Sequence, residues 1–276
     1  MEQPAVRVAR LPGGPALPYA EQGDPAGPPV VLLHAVGDSW RAFGPLMAAL
    51  PPALHVLAPS QRGHGGADSP PEGYRPADFA ADLGAFLDLL GIGRAVLVGA
   101  SSAGFTVRRF AADRPERVRG LVLLGSPALL VDKPEAAAFR EAVARMTDPL
   151  DPAAVRAMVE SVVARPLPPD FAELMVQEGL RVPARVWRAT VEGLFGETRL
   201  DGLDRIAAPA LLIRGDRDTV LPRADQERLA AALPHAALLV HEGSGHVVQW
   251  DDPVRTAADL AAFAAACGGG DGQSAT

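Results

Sequence analysis

The chain has 276 residues, 48% of them hydrophobic and 21% charged, with a formal net charge of −7. That length suits one α/β core carrying an inserted subdomain, and the mild acidity without a basic tract excludes nucleic acid and an anionic membrane surface as the partners to expect. A single cysteine, Cys267, excludes an intrachain disulfide and a thiolate metal cluster.

Val6–Leu11 and Ala16–Glu21 flank Pro12-Gly13-Gly14-Pro15 and predict an N-terminal hairpin. Val30–Leu33 is a short continuous apolar run of the kind that lies buried on both faces of a parallel sheet. His55–Ala58, Ala95–Val98, Leu121–Leu124, Ala210–Ile213 and Ala237–Val240 read the same way. Between them, Phe43–Leu50, Asp78–Leu90, Ala103–Asp113, Ala224–Leu233 and Val254–Ala266 carry helical patterns, and the alternation predicts a doubly wound sheet with helices on both sides. The alternation breaks between about Ser126 and Ile206. There, segments near Pro134–Met146, Pro152–Ala164, Pro168–Glu178 and Pro183–Leu194 start on prolines, where a missing N–H costs little. The expected organisation is a core of residues 1–126 and 207–267, an all-helical insertion over 127–206, and a flexible glycine-rich tail over 268–276. No run reaches the roughly 18–20 apolar residues of a membrane span, and Met1-Glu2-Gln3-Pro4 does not read as a secretory signal. The expectation is a cytoplasmic protein.

The run Val96-Leu97-Val98-Gly99-Ala100-Ser101-Ser102-Ala103-Gly104 is an apolar strand ending in a small-residue turn around a serine. A serine hydroxyl is a poor nucleophile until a base stands within hydrogen-bond reach, and a tight strand-to-helix turn lifts it above the sheet to meet one. The turn favours Ser101 over Ser102: Gly99 and Ala103 flank Ser101 at two residues, whereas Phe105 crowds the turn beyond Ser102. Asp216 and Asp218 both follow the Ala210–Ile213 strand, and Asp218 is favoured because Thr219-Val220-Leu221-Pro222 can close a loop over it. Of the six histidines, His246 has the glycine-flanked loop that suits a base, while His64 reads as a structural turn residue. Serine, acid and histidine in that order predict a nucleophilic triad of Ser101, Asp218 and His246. The oxyanion is expected on the backbone N–H of Ser102 and on that of Val36, in the loop after Val30–Leu33. Trp40, Phe105, Trp187, Phe195 and Trp250 are the aromatics proposed for a substrate pocket.

These residues resemble the α/β-hydrolase superfamily over nearly the whole chain. His34-Ala35-Val36-Gly37 resembles its oxyanion loop, Gly99–Gly104 its nucleophile elbow, and Gly215-Asp216-Arg217-Asp218 and Gly245-His246 its acid and base loops. Ser60-Gln61-Arg62-Gly63-His64-Gly65 resembles the family's Asp-x-Arg-Gly-x-Gly turn. The sequence departs from the family pattern at Ala35 and Ala103, which replace glycines, at Ser60, which replaces an aspartate, and at Ala67, which replaces a common serine. The resemblance implies that the helical insertion is a cap over the active site, and it is strongest to capped serine esterases and enol-lactone hydrolases.

The chemistry expected is hydrolysis of a small carboxylic ester or lactone through an acyl-enzyme, with no metal and no organic cofactor. Carbon–carbon hydrolysis of diketones, thioester hydrolysis, acyl transfer and perhydrolysis use the same triad and stay open at this level. So does a non-hydrolytic catalyst or ligand-binding protein on the same fold. Oligomeric state and natural substrate are not written in the sequence.

Overall fold

The computed structural model describes residues 4–268 apart from residue 201. Strands β1 (Ala5–Arg10) and β2 (Ala16–Gln22) form the hairpin. They are followed by β3 (Pro29–Leu33), α1 (Gly44–Ala49), β4 (His55–Pro59), α2 (Pro76–Leu89), β5 (Ala95–Ala100), α3 (Ala103–Asp113) and β6 (Val118–Leu124). Four helices then interrupt the alternation: α4 (Pro134–Ala144), α5 (Pro152–Ser161), α6 (Pro169–Arg181) and α7 (Ala184–Phe195). The chain returns through β7 (Ala210–Gly215), α8 (Arg223–Ala231), β8 (Ala236–His241), the short α9 (Val248–Asp251) and α10 (Pro253–Gly268).

The eight strands lie in the order β1-β2-β4-β3-β5-β6-β7-β8. β2 pairs antiparallel with β1 and β4, and the pairs from β4 to β8 are parallel. The apolar runs follow from this layering. Successive side chains of a strand point to opposite faces, so both parities must be apolar where helices cover both. Val31, Leu33, Leu97, Leu121 and Leu123 meet Phe86, Val107 and Phe110 of α2 and α3 on one face. Val30, Leu32, Val96, Val98 and Val122 meet Leu46, Met47 and Leu260 of α1 and α10 on the other.

Two sequence expectations change. β8 is not buried on both faces: as the last strand it alternates half-buried and exposed residues along most of its length. Gly268, expected to begin a flexible tail, ends α10, and the rest of that segment, 269–276, lies outside the described residues.

The helical insertion has its own apolar centre, in which Val155, Val176, Val186, Trp187 and Val191 pack with Tyr74 and Phe79 of the main body. Proline stands in the first turn of α4, α5 and α6. At the insertion's base the buried Nζ of Lys133 lies 2.5 Å from Oδ1 of Asp225 on α8, and Asp225 Oδ2 also accepts the N–H of Ala128 at 2.9 Å. A buried charge is costly unless paired in this way, which explains why the chain's one lysine is at this joint.

Candidate active site

Ser101 stands where β5 turns into α3. Its φ of +46° makes it the one non-glycine residue with positive φ among those described, a conformation that costs an L-residue roughly 1–2 kcal/mol. The surroundings enforce it. A Cβ on Gly99 would come within 2.7 Å of Val107 Cγ2 and 2.8 Å of the Ala103 carbonyl oxygen, and one on Gly104 within 2.2 Å of Ser126 Oγ. The Ser101 N–H donates to the Leu124 carbonyl at 2.8 Å. From below, the buried Ser126 hydroxyl lies 3.0 Å from the Ser101 carbonyl and 3.2 Å from that of Gly99. Ser101 itself is half-buried and lines the cavity beneath the insertion.

There the Ser101 Oγ lies 2.9 Å from Nε2 of His246. His246 Nδ1 lies 3.0 Å from Oδ2 of Asp218, so an ionised Asp218 accepts the Nδ1 proton and leaves Nε2 as the acceptor for the serine O–H. The other carboxylate oxygen of Asp218 accepts the N–H groups of Val220 and Leu221, both at 2.9 Å. Burial pushes the Asp218 carboxyl up, but the His246 hydrogen bond, its charge and the two N–H groups outweigh it and hold the group below its usual range. Asp216 faces away from this chain and accepts the Gly243 N–H at 2.7 Å, tying the acid and histidine loops together. The histidine loop is also fastened to the insertion: the His246 N–H donates to the Val162 carbonyl at 3.0 Å, and Asp251 accepts the N–H groups of both Gly245 (2.7 Å) and Ala164.

The loop after β3 flanks the serine on the other side. His34 is fully buried, and its pKa is lowered to about 3 by burial and by His64 nearby. It is a fixed, neutral spacer: Nε2 accepts the Gln61 N–H at 2.9 Å, Nδ1 lies 2.8 Å from the Ala35 carbonyl, and Gln61 Nε2 donates to the His34 carbonyl at 2.7 Å. Gln61 is anchored in turn by its neighbour Arg62, whose guanidinium grips Asp82 of α2 through two bonds of 2.6 Å. His64 lies in this turn, donating through Nδ1 to the Arg62 carbonyl side at 2.9 Å. Gly37, with φ +86°, is covered by the Trp187 indole of α7, which a Cβ there would meet at 2.1 Å. Between these supports the Val36 N–H points at Ser102 and donates to its Oγ at 2.9 Å.

Ser101 and His246 line a cavity of about 390 Å³ beneath the insertion, within the usual size range of small-molecule sites. Leu130, Phe139, Val155, Met158, Val159, Met175 and Leu194 give it an apolar wall. Trp187 and Trp250 line it as expected from sequence; Trp40, Phe105 and Phe195 do not. Trp40 is half-buried under the Arg41 guanidinium, Phe105 is buried beneath Arg108, and Phe195 belongs to the centre of the insertion. Among the described residues no arginine or lysine lines the cavity; its acidic residues are Asp38 and Glu135. Loss of water, and then the nearby Glu178, push the Asp38 carboxyl up to about 8, so it is protonated at neutral pH. Among the described residues no three His, Cys, Asp or Glu side chains gather so as to hold a metal ion.

Sequence reasoning passed over Ser126, Gln61, Asp251 and Asp38. Ser126 left one signal, a polar residue just past the apolar end of β6, and Gln61 sits within the Ser60–Gly65 turn; Asp251 and Asp38 carry no pattern of their own.

A family model described as alpha/beta hydrolase fold matches residues 28–253. The chain is 27% identical to a poly(3-hydroxyalkanoate) depolymerase of Ectopseudomonas oleovorans, over 90% of this chain and 84% of that protein. It is also 27% identical to a 3-oxoadipate enol-lactonase of Acinetobacter baylyi, over 86% and 89%. The solved structure of Est816, an N-acyl homoserine lactone degrading enzyme, superposes with a TM-score of 0.78 at 29% identity, covering 93% of this chain and all of that one.

Proposed function

Because the chain belongs to the α/β-hydrolase family, we propose that it cleaves a neutral, largely apolar carboxylic ester or lactone through an acyl-enzyme on Ser101. The observation that carries this reading is the unbroken chain Ser101 Oγ–His246 Nε2 (2.9 Å) and His246 Nδ1–Asp218 Oδ2 (3.0 Å) at the floor of an apolar cavity. Ser101 Oγ attacks the carbonyl carbon as its proton passes to His246 Nε2. The imidazolium so formed is steadied by Asp218. The oxyanion forms at the N–H of Ser102, beside the Ser102 hydroxyl that the Val36 N–H engages. On collapse the C–O bond breaks, the alkoxide takes the proton from His246, and Ser101 keeps the acyl group. His246 then deprotonates water, which attacks the acyl carbon; the second oxyanion collapses with release of the carboxylic acid, and the proton returns to Ser101. The helical insertion serves as the cap: it supplies most of the apolar wall and, through Val162 and Ala164, holds the histidine loop.

The cavity wall also favours a substrate without charge. A substrate carboxylate, such as the name 3-oxoadipate enol-lactonase implies for that relative, would meet Glu135 here with no cation among the described lining residues to receive it. A depolymerase of hydroxyalkanoate esters and a lactone-degrading enzyme are among the similar proteins, and a neutral acyl group is compatible with this wall. The test is a panel of p-nitrophenyl and lactone substrates, each offered as a neutral compound and as its carboxylate-bearing counterpart, beside a diketone and a thioester. Turnover confined to neutral esters and lactones supports the reading. Preference for the anionic members, or for the diketone, refutes it.

A further inference from the structure

Ser102 is placed twice at the reacting centre. Its N–H has no acceptor among the described residues, as an oxyanion donor in waiting should not. Its side chain does something less ordinary. Ser102 precedes α3 with helical backbone angles (φ −58°, ψ −30°), and its side chain makes no bond to the N–H groups of its own helix. Its Oγ instead accepts the Val36 N–H at 2.9 Å across 66 residues of sequence. The N–H that would meet the oxyanion from the β3 loop is therefore already engaged, and the acceptor engaging it is a hydroxyl whose own proton has no partner among the described residues and which lines the cavity beside Ser101.

We propose that the oxyanion is held by both the N–H and the O–H of Ser102, the Val36 N–H polarising that hydroxyl rather than meeting the oxygen itself. The inference rests on the acyl-enzyme reading above and assigns Ser102 a direct catalytic role in it. A hydroxyl that accepts a hydrogen bond donates a stronger one, so the relay Val36 N–H···Oγ–H···O⁻ transmits the backbone dipole to the developing charge. Ala35, which stands where the family's oxyanion loop carries glycine, is buried immediately before Val36, and the hydroxyl extends the reach of the donor that follows it.

The experiment compares wild type with Ser102→Ala, Ser102→Thr and Ser102→Cys on p-nitrophenyl butyrate. Each is also titrated with an alkyl trifluoromethyl ketone, which forms a tetrahedral adduct on the nucleophile. Loss of one oxyanion donor typically costs 10²–10³ in rate. The Val36 N–H, uncovered in Ser102→Ala, recovers part of that, so kcat is expected to fall about 10–100-fold. KM should stay within about threefold, as for an interaction made only in the transition state, and the ketone should weaken by the same factor as kcat. Ser102→Thr keeps the hydroxyl and retains most of kcat; Ser102→Cys, a weaker donor, falls between. Should Ser102→Ala fold poorly, the Thr–Cys comparison alone carries the test. An alanine variant as fast as wild type or faster means that the hydroxyl merely plugs the site, and overturns the proposal. So does a change in KM alone, or an unchanged ketone affinity. Those outcomes leave the acyl-enzyme reading standing if wild type turns over esters and reacts with a fluorophosphonate; a wild type that does neither ends both.

Discussion

The elbow geometry makes a stability prediction that is independent of turnover. Ser101 holds φ at +46°, and any residue with a Cβ carries a penalty there of roughly 1–2 kcal/mol. Ser101→Ala removes the hydroxyl but keeps the Cβ and hence the penalty. Ser101→Gly removes both, and loses about 0.4–1 kcal/mol through the freer unfolded chain. The difference between the two variants isolates the backbone: glycine should exceed alanine by about 0.8 kcal/mol, the midpoint of those opposing terms. For a chain of this size that is about 2 °C in Tm, or a matching rise in urea midpoint at unchanged slope. The comparison needs no turnover and is read by circular dichroism in thermal and urea unfolding. A glycine variant equal to or less stable than alanine would mean that Ser101 is not strained, and the account of how the turn presents its hydroxyl would fail.

Asp218→Asn should lower kcat about 10⁴-fold with little change in KM, because the amide oxygen stays with the Val220 and Leu221 N–H groups and the NH2 turns to His246 Nδ1, which forces the imidazole proton onto Nε2; steady-state kinetics above and below neutrality check this. Gly37→Ala drives a methyl to 2.1 Å from the Trp187 indole at φ +86° and should destabilise by about 2–5 kcal/mol, the sum of the overpacking and left-handed penalties. Adding Trp187→Leu should recover the overpacking part, visible as non-additivity of about 1 kcal/mol or more in a double-mutant cycle. Asp38, with its carboxyl pushed up from 3.8 to about 8, binds its proton more tightly in the folded protein than in the unfolded one across that interval, so its contribution to stability is lost as pH rises through it. Asp38→Asn should therefore gain on wild type between pH 5 and 8, by on the order of 1–2 kcal/mol after allowance for screening at a half-open site. A pH-independent difference in urea midpoint would contradict it.

The features legible in the sequence were those with a period or a punctuation mark. Continuous apolar runs announced β3, β5, β6 and β7 because each is covered on both faces, and prolines announced the helices of the insertion. The same rule misread β8, whose apolar residues sit on an edge strand that is only half covered. The three residues of the hydrogen-bonded chain were legible because a small-residue turn and two strand-end loops mark where such groups must stand. The supports were not. Ser126 under the elbow, Gln61 bracing His34 and Asp251 linking the histidine loop to Ala164 join segments 25 to 87 residues apart, and no local pattern encodes such a meeting. The pocket aromatics divide for the same reason: Trp187 and Trp250 reach the cavity while Phe105 and Phe195 serve as packing, a matter of which side of a helix faces inward.

The central claim is that Ser101 is made nucleophilic by His246. Reaction with a fluorophosphonate followed by peptide mass spectrometry tests it directly. The account predicts a single stoichiometric adduct on Ser101, lost in Ser101→Ala and strongly slowed in His246→Ala. An adduct on Ser102, or a wild-type protein that takes up no label, would contradict it.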